Sequence, residues 1–272
     1  MTDIFTRIAP WRTADEVVQQ IEALILEGVL RVGDRLPGER DLSRRLDVSR
    51  PILRAALKTL EQKGLLSTRA GDGTRVADVV GRVFAEPVAD LIANHPKAAA
   101  DYMEYRRDIE TVAAEHAARR ATGEDRAMLA DIMARMEEAH SRVDFEAEAR
   151  IDVEFHNAIG ECAHNMILLH TLRACYRLLA DEVFYNRFSI YNLPGAREAL
   201  LSQHRAIHEA VAGGDAPAAR RAAGEHIDFV ESAMAQAARS DEWRRVSRLR
   251  YSRRIETPVA VQPATEQQGE AR

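Results

Sequence analysis

Residues 36–76 read LPGERDLSRRLDVSRPILRAALKTLEQKGLLSTRAGDGTRV, and this stretch decides the fold of the first part of the chain. A short helix opens after Gly38, a turn follows, and a second helix occupies 51–63, where a glycine stops it. The segment 65–76 holds two short apolar runs around a glycine-rich turn. The pattern predicts a helix-turn-helix followed by a two-stranded wing that could touch a DNA backbone.

The positive charge of the chain is concentrated in this stretch. The formal net charge of all 272 residues is −5, whereas residues 35–75 hold ten Lys and Arg against five Asp and Glu. One locally basic module on an otherwise acidic protein is what we expect if only that module meets phosphates. The charge distribution therefore supports a nucleic-acid partner for residues 36–76.

Length and composition predict a two-domain, mainly α protein without a membrane segment. Domains average roughly 150 residues, and 46% of this chain is hydrophobic. Cys162 and Cys175 form no disulfide framework, so a reducing cytoplasm is the expected compartment. No stretch is typical of a signal peptide or a bilayer-spanning helix.

The sequence predicts that the chain consists of four segments. They are a winged helix-turn-helix of three helices and two strands at 1–80, a connecting helix or linker at 81–96, an all-α domain at 97–240, and a basic, then disordered tail at 241–272. The all-α domain should be a bundle of six to seven helices, because apolar residues recur there at intervals of three and four. Its helices are predicted at 98–121, 124–141, 145–161, 165–187, 195–212 and 216–239. The basic stretch 244–254 can extend the last helix; a solvated face is the first interpretation of its arginines, and phosphate contact is the alternative.

The start of the second helix carries the donors that DNA reading requires. Phosphates and guanine edges offer mainly hydrogen-bond acceptors. Ser49 can cap the helix, and Arg50 and Arg54, four residues apart, project from one face. A surface helix with solvated arginines is the alternative for either arginine alone, but the wing at the correct distance favours DNA contact.

The same stretch resembles the winged helix of GntR-family bacterial transcriptional regulators. The matching residues are Gly33, Leu36 to Leu42, Val48 to Arg50, Leu53, Arg54, Leu57, Leu60, Glu61, Gly64, Leu65, Gly71, Gly73, Thr74 and Val76. The resemblance implies operator contacts from Arg40, Arg50, Arg54 and the wing-tip Gly73. Ala55 departs from the family's usual glutamate, which should alter local packing, and Pro51 replaces a common Thr or Ser that can contact phosphate.

A possible metal site lies in the all-α domain. Asp152 and His156 are four residues apart on one helix, while His204 and His226 lie on two later helices. One carboxylate and three neutral imidazoles would suit zinc, nickel or manganese. An isolated Asp-His pair at this spacing is more often a surface ion pair, and spacing alone leaves open a pairing of His204 with His208.

This domain resembles the FCD ligand-binding domain of the FadR subfamily. The matching pieces are Tyr105-Arg106, Ile109-Glu110, Asp152, Phe155-His156, Ile159, Asn165, His204, Ile207, Gly214-Asp215 and His226. The resemblance implies a divalent metal on the four residues named above and a carboxylate effector held by Arg106. The alternative for Arg106 is a salt bridge to Glu110. Residues 181–187 and the long tail are similar to regulators of pyruvate, lactate or related carboxylates.

These observations lead to one functional hypothesis and two alternatives. We expect a homodimeric repressor that binds an inverted repeat in operator DNA and responds to a small organic acid at a metal site, zinc being the first choice. One alternative is a helical metal-dependent enzyme acting on small carboxylates. The other is a DNA-binding dimer whose metal is purely structural.

Overall fold

A computed structural model describes residues 13–69, 71–77, 86–180 and 187–256. Within these ranges the protein is mainly helical, with a single two-stranded antiparallel sheet, so the expected fold class is confirmed. The elements are α1 (Ala14–Leu26), α2 (Glu39–Leu46), α3 (Arg50–Gln62), β1 (Leu66–Arg69), β2 (Gly73–Val76), α4 (Glu86–Asn94), α5 (Pro96–Arg120), α6 (Gly123–Ser141), α7 (Phe145–Cys162), α8 (Met166–Ala180), α9 (Arg187–Tyr191), α10 (Ala196–Ala212) and α11 (Ala216–Glu256).

The first three helices form a small core of their own, which we call the DNA-binding head (residues 13–77). α1 begins after Thr13, whose backbone N–H donates to the carboxylate of Glu16 at 3.2 Å. Its apolar face packs on α3, and the shared core holds Val17, Ile21, Ile25, Leu42, Leu46, Leu53 and Leu60. Asp47 ends α2 in the left-handed conformation, with φ of 54°. This residue begins the turn between α2 and α3.

The wing is held by hydrogen bonds on both edges of β2. β1 pairs with β2 in antiparallel register, from Leu66 opposite Val76 to Arg69 opposite Gly73. On the other edge, the N–H of Leu36 donates to Thr74 O at 2.9 Å, and the N–H of Gly33 donates to Val76 O at 2.9 Å. The segment before α2 therefore acts as a short third strand.

The second domain is a helical bundle in which α5 and α11 lie antiparallel. Arg220 of α11 reaches Glu115 of α5 at 2.8 Å, and Arg107 of α5 reaches Asp228 of α11 at 2.9 Å. Alanines and larger aliphatic side chains of α5, α6, α7, α10 and α11 fill the main core. None of the described helices combines the length and apolar composition needed to cross a membrane.

Two elements differ from the sequence-based expectation. α11 continues for 41 residues through the basic stretch to Glu256, the extension that the sequence left open. The helix predicted over 165–187 is described only to Ala180, and α9 begins separately at Arg187. Residues 181–186, most of the stretch compared with carboxylate regulators, lie outside the described residues, as do 78–85 at the predicted domain boundary and the tail at 257–272.

Candidate metal centre and nucleic-acid interface

Two arginines at the start of α3 share one carboxylate of α2. Arg54 Nε lies 2.8 Å and Arg50 Nη2 lies 3.3 Å from Oε2 of Glu39. A hydrogen bond from Arg54, aided by Arg50, lowers the pKa of Glu39 and keeps it charged. The arginine side chains nevertheless remain 56% and 62% exposed. Glu39 therefore fixes where the two guanidinium groups stand while leaving their donors accessible.

The other predicted DNA contacts also lie on the head. Ser49 occupies the N-cap position of α3, but its side chain makes no capping hydrogen bond, contrary to expectation. It is exposed, as is Arg40 in the first turn of α2. Gly73 begins β2 with φ of +83°, and an added Cβ would lie 3.0 Å from Arg35 Nε. A side chain there would be strained and crowded.

The four predicted metal ligands come together from three helices. Asp152 and His156 lie on α7, His204 on α10 and His226 on α11, and one ligand atom from each lies within 4.8 Å of the others. His204 Nε2 is 3.2 Å from both His156 Nε2 and Asp152 Oδ1. The three imidazoles are buried, and Asp152 is half-buried. His208 is half-buried and lies outside this cluster.

Partners on the outer nitrogens orient two of the imidazoles. His156 Nδ1 lies 2.9 Å from Oε2 of Glu110, and His226 Nδ1 lies 3.1 Å from Oε1 of Gln203. With these oxygens as acceptors, each Nδ1 donates, and in a neutral ring Nε2 then offers a lone pair. Burial and the neighbouring His204 and His156 hold the pKa of His226 well below 6.5, so that imidazole is neutral near pH 7.

This donor set fits a divalent ion. Tetrahedral ligands about 2.1 Å from zinc lie about 3.4 Å from one another. The 3.2 Å separations at His204 Nε2 are close to that value. The geometry of these four side chains is thus compatible with a metal ion bound among them.

A buried ionic network supports the cluster from behind. Arg106, 1% exposed, donates from Nε to Oε1 of Glu110 at 2.5 Å and from Nη2 to the Tyr176 hydroxyl at 2.7 Å. The Tyr176 ring stacks on His156 with centroids 5.0 Å apart. Although burial alone would raise the pKa of Glu110, the charge of Arg106 and the hydrogen bond from His156 outweigh it and keep that pKa low. The salt bridge offered as the alternative for Arg106 is therefore present, and effector contact by Arg106 stays a prediction.

Sequence reasoning did not assign roles at the site to Glu110, Tyr176 and Gln203. Glu110 was visible only as a partner of Arg106 one turn away, and Gln203 only as the neighbour of His204. Tyr176 gave no signal, because its contact with His156 depends on how α7 and α8 pack. The sequence singled out the four residues that cluster, but not the groups that orient their rings.

Comparisons with known proteins agree on the class. Residues 13–76 match the family model described as bacterial regulatory proteins, gntR family, and residues 101–229 match the FCD domain. An Escherichia coli K12 protein named as an L-lactate dehydrogenase operon regulatory protein is 37% identical over 231 residues, 84% of this chain and 88% of its own length. The Glc operon transcriptional activator of the same organism is 31% identical over 79% of this chain and 86% of its own length.

A further relative is also named as a transcriptional regulator. LutR of Bacillus subtilis, an HTH-type transcriptional regulator, is 26% identical over 78% of this chain and 96% of its own length. A solved structure described as Streptococcus agalactiae GntR is 25% identical, covers 80% of this chain and 98% of that chain, and has a TM-score of 0.48. The matched families and named relatives are transcriptional regulators, not enzymes, which removes the alternative of a metal-dependent enzyme.

Proposed function

Because the chain belongs to the GntR family of DNA-binding transcriptional regulators and carries an FCD domain, we propose that a divalent metal and a small organic acid control its binding to operator DNA. The convergence of one carboxylate and three buried imidazoles from α7, α10 and α11 carries this proposal. Asp152, His156, His204 and His226 hold the ion, with zinc preferred and nickel or manganese as alternatives. A bound ion offers open coordination positions to the oxygens of an acid.

The charges of the site favour an anionic effector. Arg106 and a divalent ion are positive and Glu110 and Asp152 are negative, so these four groups together carry one uncompensated positive charge. A buried net charge is costly, and a monocarboxylate would neutralise it. Arg106 is the protein's own buried cation here and attracts the carboxylate group. The relative named for the L-lactate dehydrogenase operon supports an acid of the lactate and pyruvate class.

On the DNA side, we propose that the protein is a homodimeric repressor that binds an inverted repeat. Arg50 and Arg54 read base edges, while Arg40, Ser49 and the wing around Gly73 contact the backbone or adjacent bases. A two-fold symmetric protein presents two heads to two half-sites. The acid changes the arrangement of the heads by favouring one state of the helical domains. A nearly complete switch requires about 10⁴-fold preference for one state.

Metal titration tests the site. Zinc is titrated calorimetrically into chelator-treated wild-type protein and into His204→Ala. We expect at least a 100-fold loss of affinity in the variant, because loss of an outer-shell partner alone costs about 10- to 100-fold. His208→Ala is the matched control, since His208 lies one turn later on the same helix and outside the cluster. Equal affinities in all three proteins would refute the metal site.

Titration with organic acids tests whether such an acid controls operator binding. L-lactate and pyruvate are titrated into zinc-loaded and metal-free protein, and operators located by genomic footprinting are then bound with and without the acid. Binding of an acid that depends on zinc and alters operator affinity supports the proposal. If neither acid binds the zinc-loaded protein, the alternative of a structural metal is preferred. If the acid tightens operator binding and raises transcription of the adjoining genes, the protein is an activator.

A further inference from the structure

The turn that follows α1 lies directly against the helical domain. We call residues 27–34 the head turn and residues 160–169 the α7–α8 corner. Gly28 of the head turn has φ of +75°, and a Cβ added there would lie 2.8 Å from Leu169 Cδ2 and 3.1 Å from Arg173 Nη1. The backbone at Gly28 therefore lies so close to α8 that a side chain would not fit there.

One carboxylate joins the two bodies. Oε1 of Glu161, at the end of α7, accepts from Arg173 of α8 at 2.6 Å and from Arg31 of the head turn at 2.9 Å. Glu161 and Arg173 are 16% and 15% exposed, whereas Arg31 is 58% exposed. Arg173 thus neutralises Glu161 within the helical domain, and Arg31 can leave without exposing a buried charge.

The head turn has its own internal support. The N–H of Arg31 donates to Asp34 Oδ2 at 2.8 Å, and the N–H of Asp34 donates to Arg31 O at 3.0 Å. These bonds fix the backbone from which the Arg31 side chain extends. The contact is consequently made by a preformed turn.

Both α7 and α8 connect the corner to residues in or beside the cluster of imidazoles. Glu161 is five residues after His156 on α7, a rise of about 7.5 Å. Arg173 is three residues before Tyr176 on α8, whose ring stacks on His156. Gly160 lets the helices meet closely, since a Cβ there would lie 3.1 Å from Leu172 Cδ1. A displacement of His156 must move Glu161 or disturb this packing.

We propose that the α7–α8 corner is a docking surface for the protein's own DNA-binding head, with Glu161 as the shared acceptor, and that occupancy of the metal site and docking of the head are coupled through α7 and α8. The coupling rests on the proposed metal site, but the docking does not. The structure that gathers the four ligands also holds the head docked. Undocking should therefore weaken metal binding, because linkage between two equilibria is reciprocal.

The expected coupling is small enough for a reversible switch. An exposed ion pair changes an equilibrium by up to about fivefold. The Gly28–Leu169 contact adds packing without a buried charge. Arg31→Gln removes the pair with its acceptor still neutralised by Arg173, whereas Glu161→Gln would leave Arg173 without its carboxylate. Arg31→Gln is therefore the informative substitution.

The experiment compares three full-length proteins: wild type, Arg31→Gln and the control Arg205→Gln. Arg205 makes an exposed ion pair of 2.6 Å with Glu137 between α10 and α6, inside the helical domain. Hydrogen exchange of the head turn is measured without metal, and zinc affinity is measured by titration. We expect Arg31→Gln to exchange faster at residues 27–34 and to bind zinc about three- to fivefold more weakly. Arg205→Gln should match wild type in both measurements.

Each of the other possible results contradicts one part of the proposal, either the docking or the coupling. Unchanged exchange at 27–34 in Arg31→Gln refutes docking. Faster exchange with unchanged zinc affinity refutes coupling while docking stands. If wild-type protein does not bind zinc, the proposed metal site fails and the coupling fails with it, and the exchange comparison still decides whether the head docks.

Discussion

At the scale of single residues, Glu39 holds the two arginines that we propose to read DNA in a defined position. It accepts from Arg50 and Arg54 together, and both remain more than half exposed. A side chain held before binding loses less conformational entropy when it contacts a base. The ion pairs are therefore compatible with DNA contact, since a phosphate or a guanine can replace the carboxylate.

Arg54→Ala tests this assignment. We expect operator affinity to fall by about 1–3 kcal/mol, the usual contribution of a good base contact. Fluorescence anisotropy with a footprinted operator measures the loss, and Arg205→Ala in the helical domain serves as the control. Binding by Arg54→Ala as tight as that of wild type would mean that Arg54 does not contact the operator.

We expect Glu110 to affect metal affinity although it is not one of the four proposed ligands. Its carboxylate holds the proton on His156 Nδ1 and thereby directs Nε2 toward the other ligands. We expect Glu110→Gln to lower zinc affinity by about 10- to 100-fold, as such outer partners commonly do. Competition with a fluorescent chelator measures it, with His208→Gln as the control. An unchanged affinity would show that packing alone orients His156.

The buried imidazoles make the metal-free protein sensitive to acid. Burial and neighbouring histidines lower the pKa of His226 below its unfolded value of 6.5, so the unfolded chain binds more protons below that pH. Stability should be full above pH 6.5 and fall by about 1.4 kcal/mol per pH unit below it, until the folded pKa is reached. Glu110, with a lowered pKa, adds losses only below about pH 4.5.

Urea unfolding of chelator-treated protein at pH 7, 6 and 5 measures this dependence. His226→Gln should show a shallower loss over the same range, because it removes one of the buried groups that must bind a proton. Identical slopes for wild type and variant would exclude His226 as a source of the acid sensitivity.

The four clustered residues could be predicted from the sequence because Asp and His are rare on buried helix faces and their spacing is readable. His204 lay within an apolar stripe and therefore needed a buried partner. Its neighbours come from helices distant in sequence, as with Glu110 of α5 beside His156 of α7. Which polar group meets which ring depends on interhelical packing, and no spacing along one helix encodes that.

At the scale of elements, Gly160 sets how closely α7 and α8 approach. Gly160→Val should destabilise the protein by about 1–3 kcal/mol, because the side chain would overlap Leu172 and Leu169 in a packed core. Gly123→Val at the start of α6 is the matched control, since a Cβ there meets no atom within 4 Å. Urea denaturation compares the two. A loss no greater than in the control would mean that the corner can relax.

Helix periodicity predicted the buried helices well and the exposed ones poorly. α6, α7 and α10 begin and end within one residue of their predicted bounds, because apolar stripes mark all three, side-chain caps mark the starts of α6 and α7, and a glycine precedes α10. α11 lacks such a stripe beyond Ala237, and its extension includes ion pairs such as Arg244 with Asp241. Good helix formers can continue a helix without a core. Sequence alone could not distinguish that case from a solvated coil.

At the scale of the whole molecule, two separate cores meet at a small polar contact. The head has its own buried cluster, and the helical domain fills two others. Within the described residues, Arg31 and Glu161 form an ion pair across this boundary. Small interfaces of this kind permit relative motion of domains. Nothing in the sequence pattern pointed to the pair, whose members are 130 residues apart.

The strand-like segment at Gly33 and Leu36 ties the wing to the head turn, since both edges of β2 are hydrogen-bonded. The wing, α3 and the turn that docks should therefore move as one rigid body. In the proposed dimer, effector binding would then rotate one head relative to the other around the axis of the double helix. One added base pair rotates one half-site relative to the other by about 35°.

We therefore expect the acid to change the order of affinities among operators whose spacers are one base pair longer or shorter. The order of affinities among operators with base changes inside a half-site should stay the same. Binding to a library of spacer lengths, with and without L-lactate, measures this. A reordering of half-site preferences instead would mean that the wing changes shape. If the wing stays rigid, the effector selects among operators by the angle between their halves.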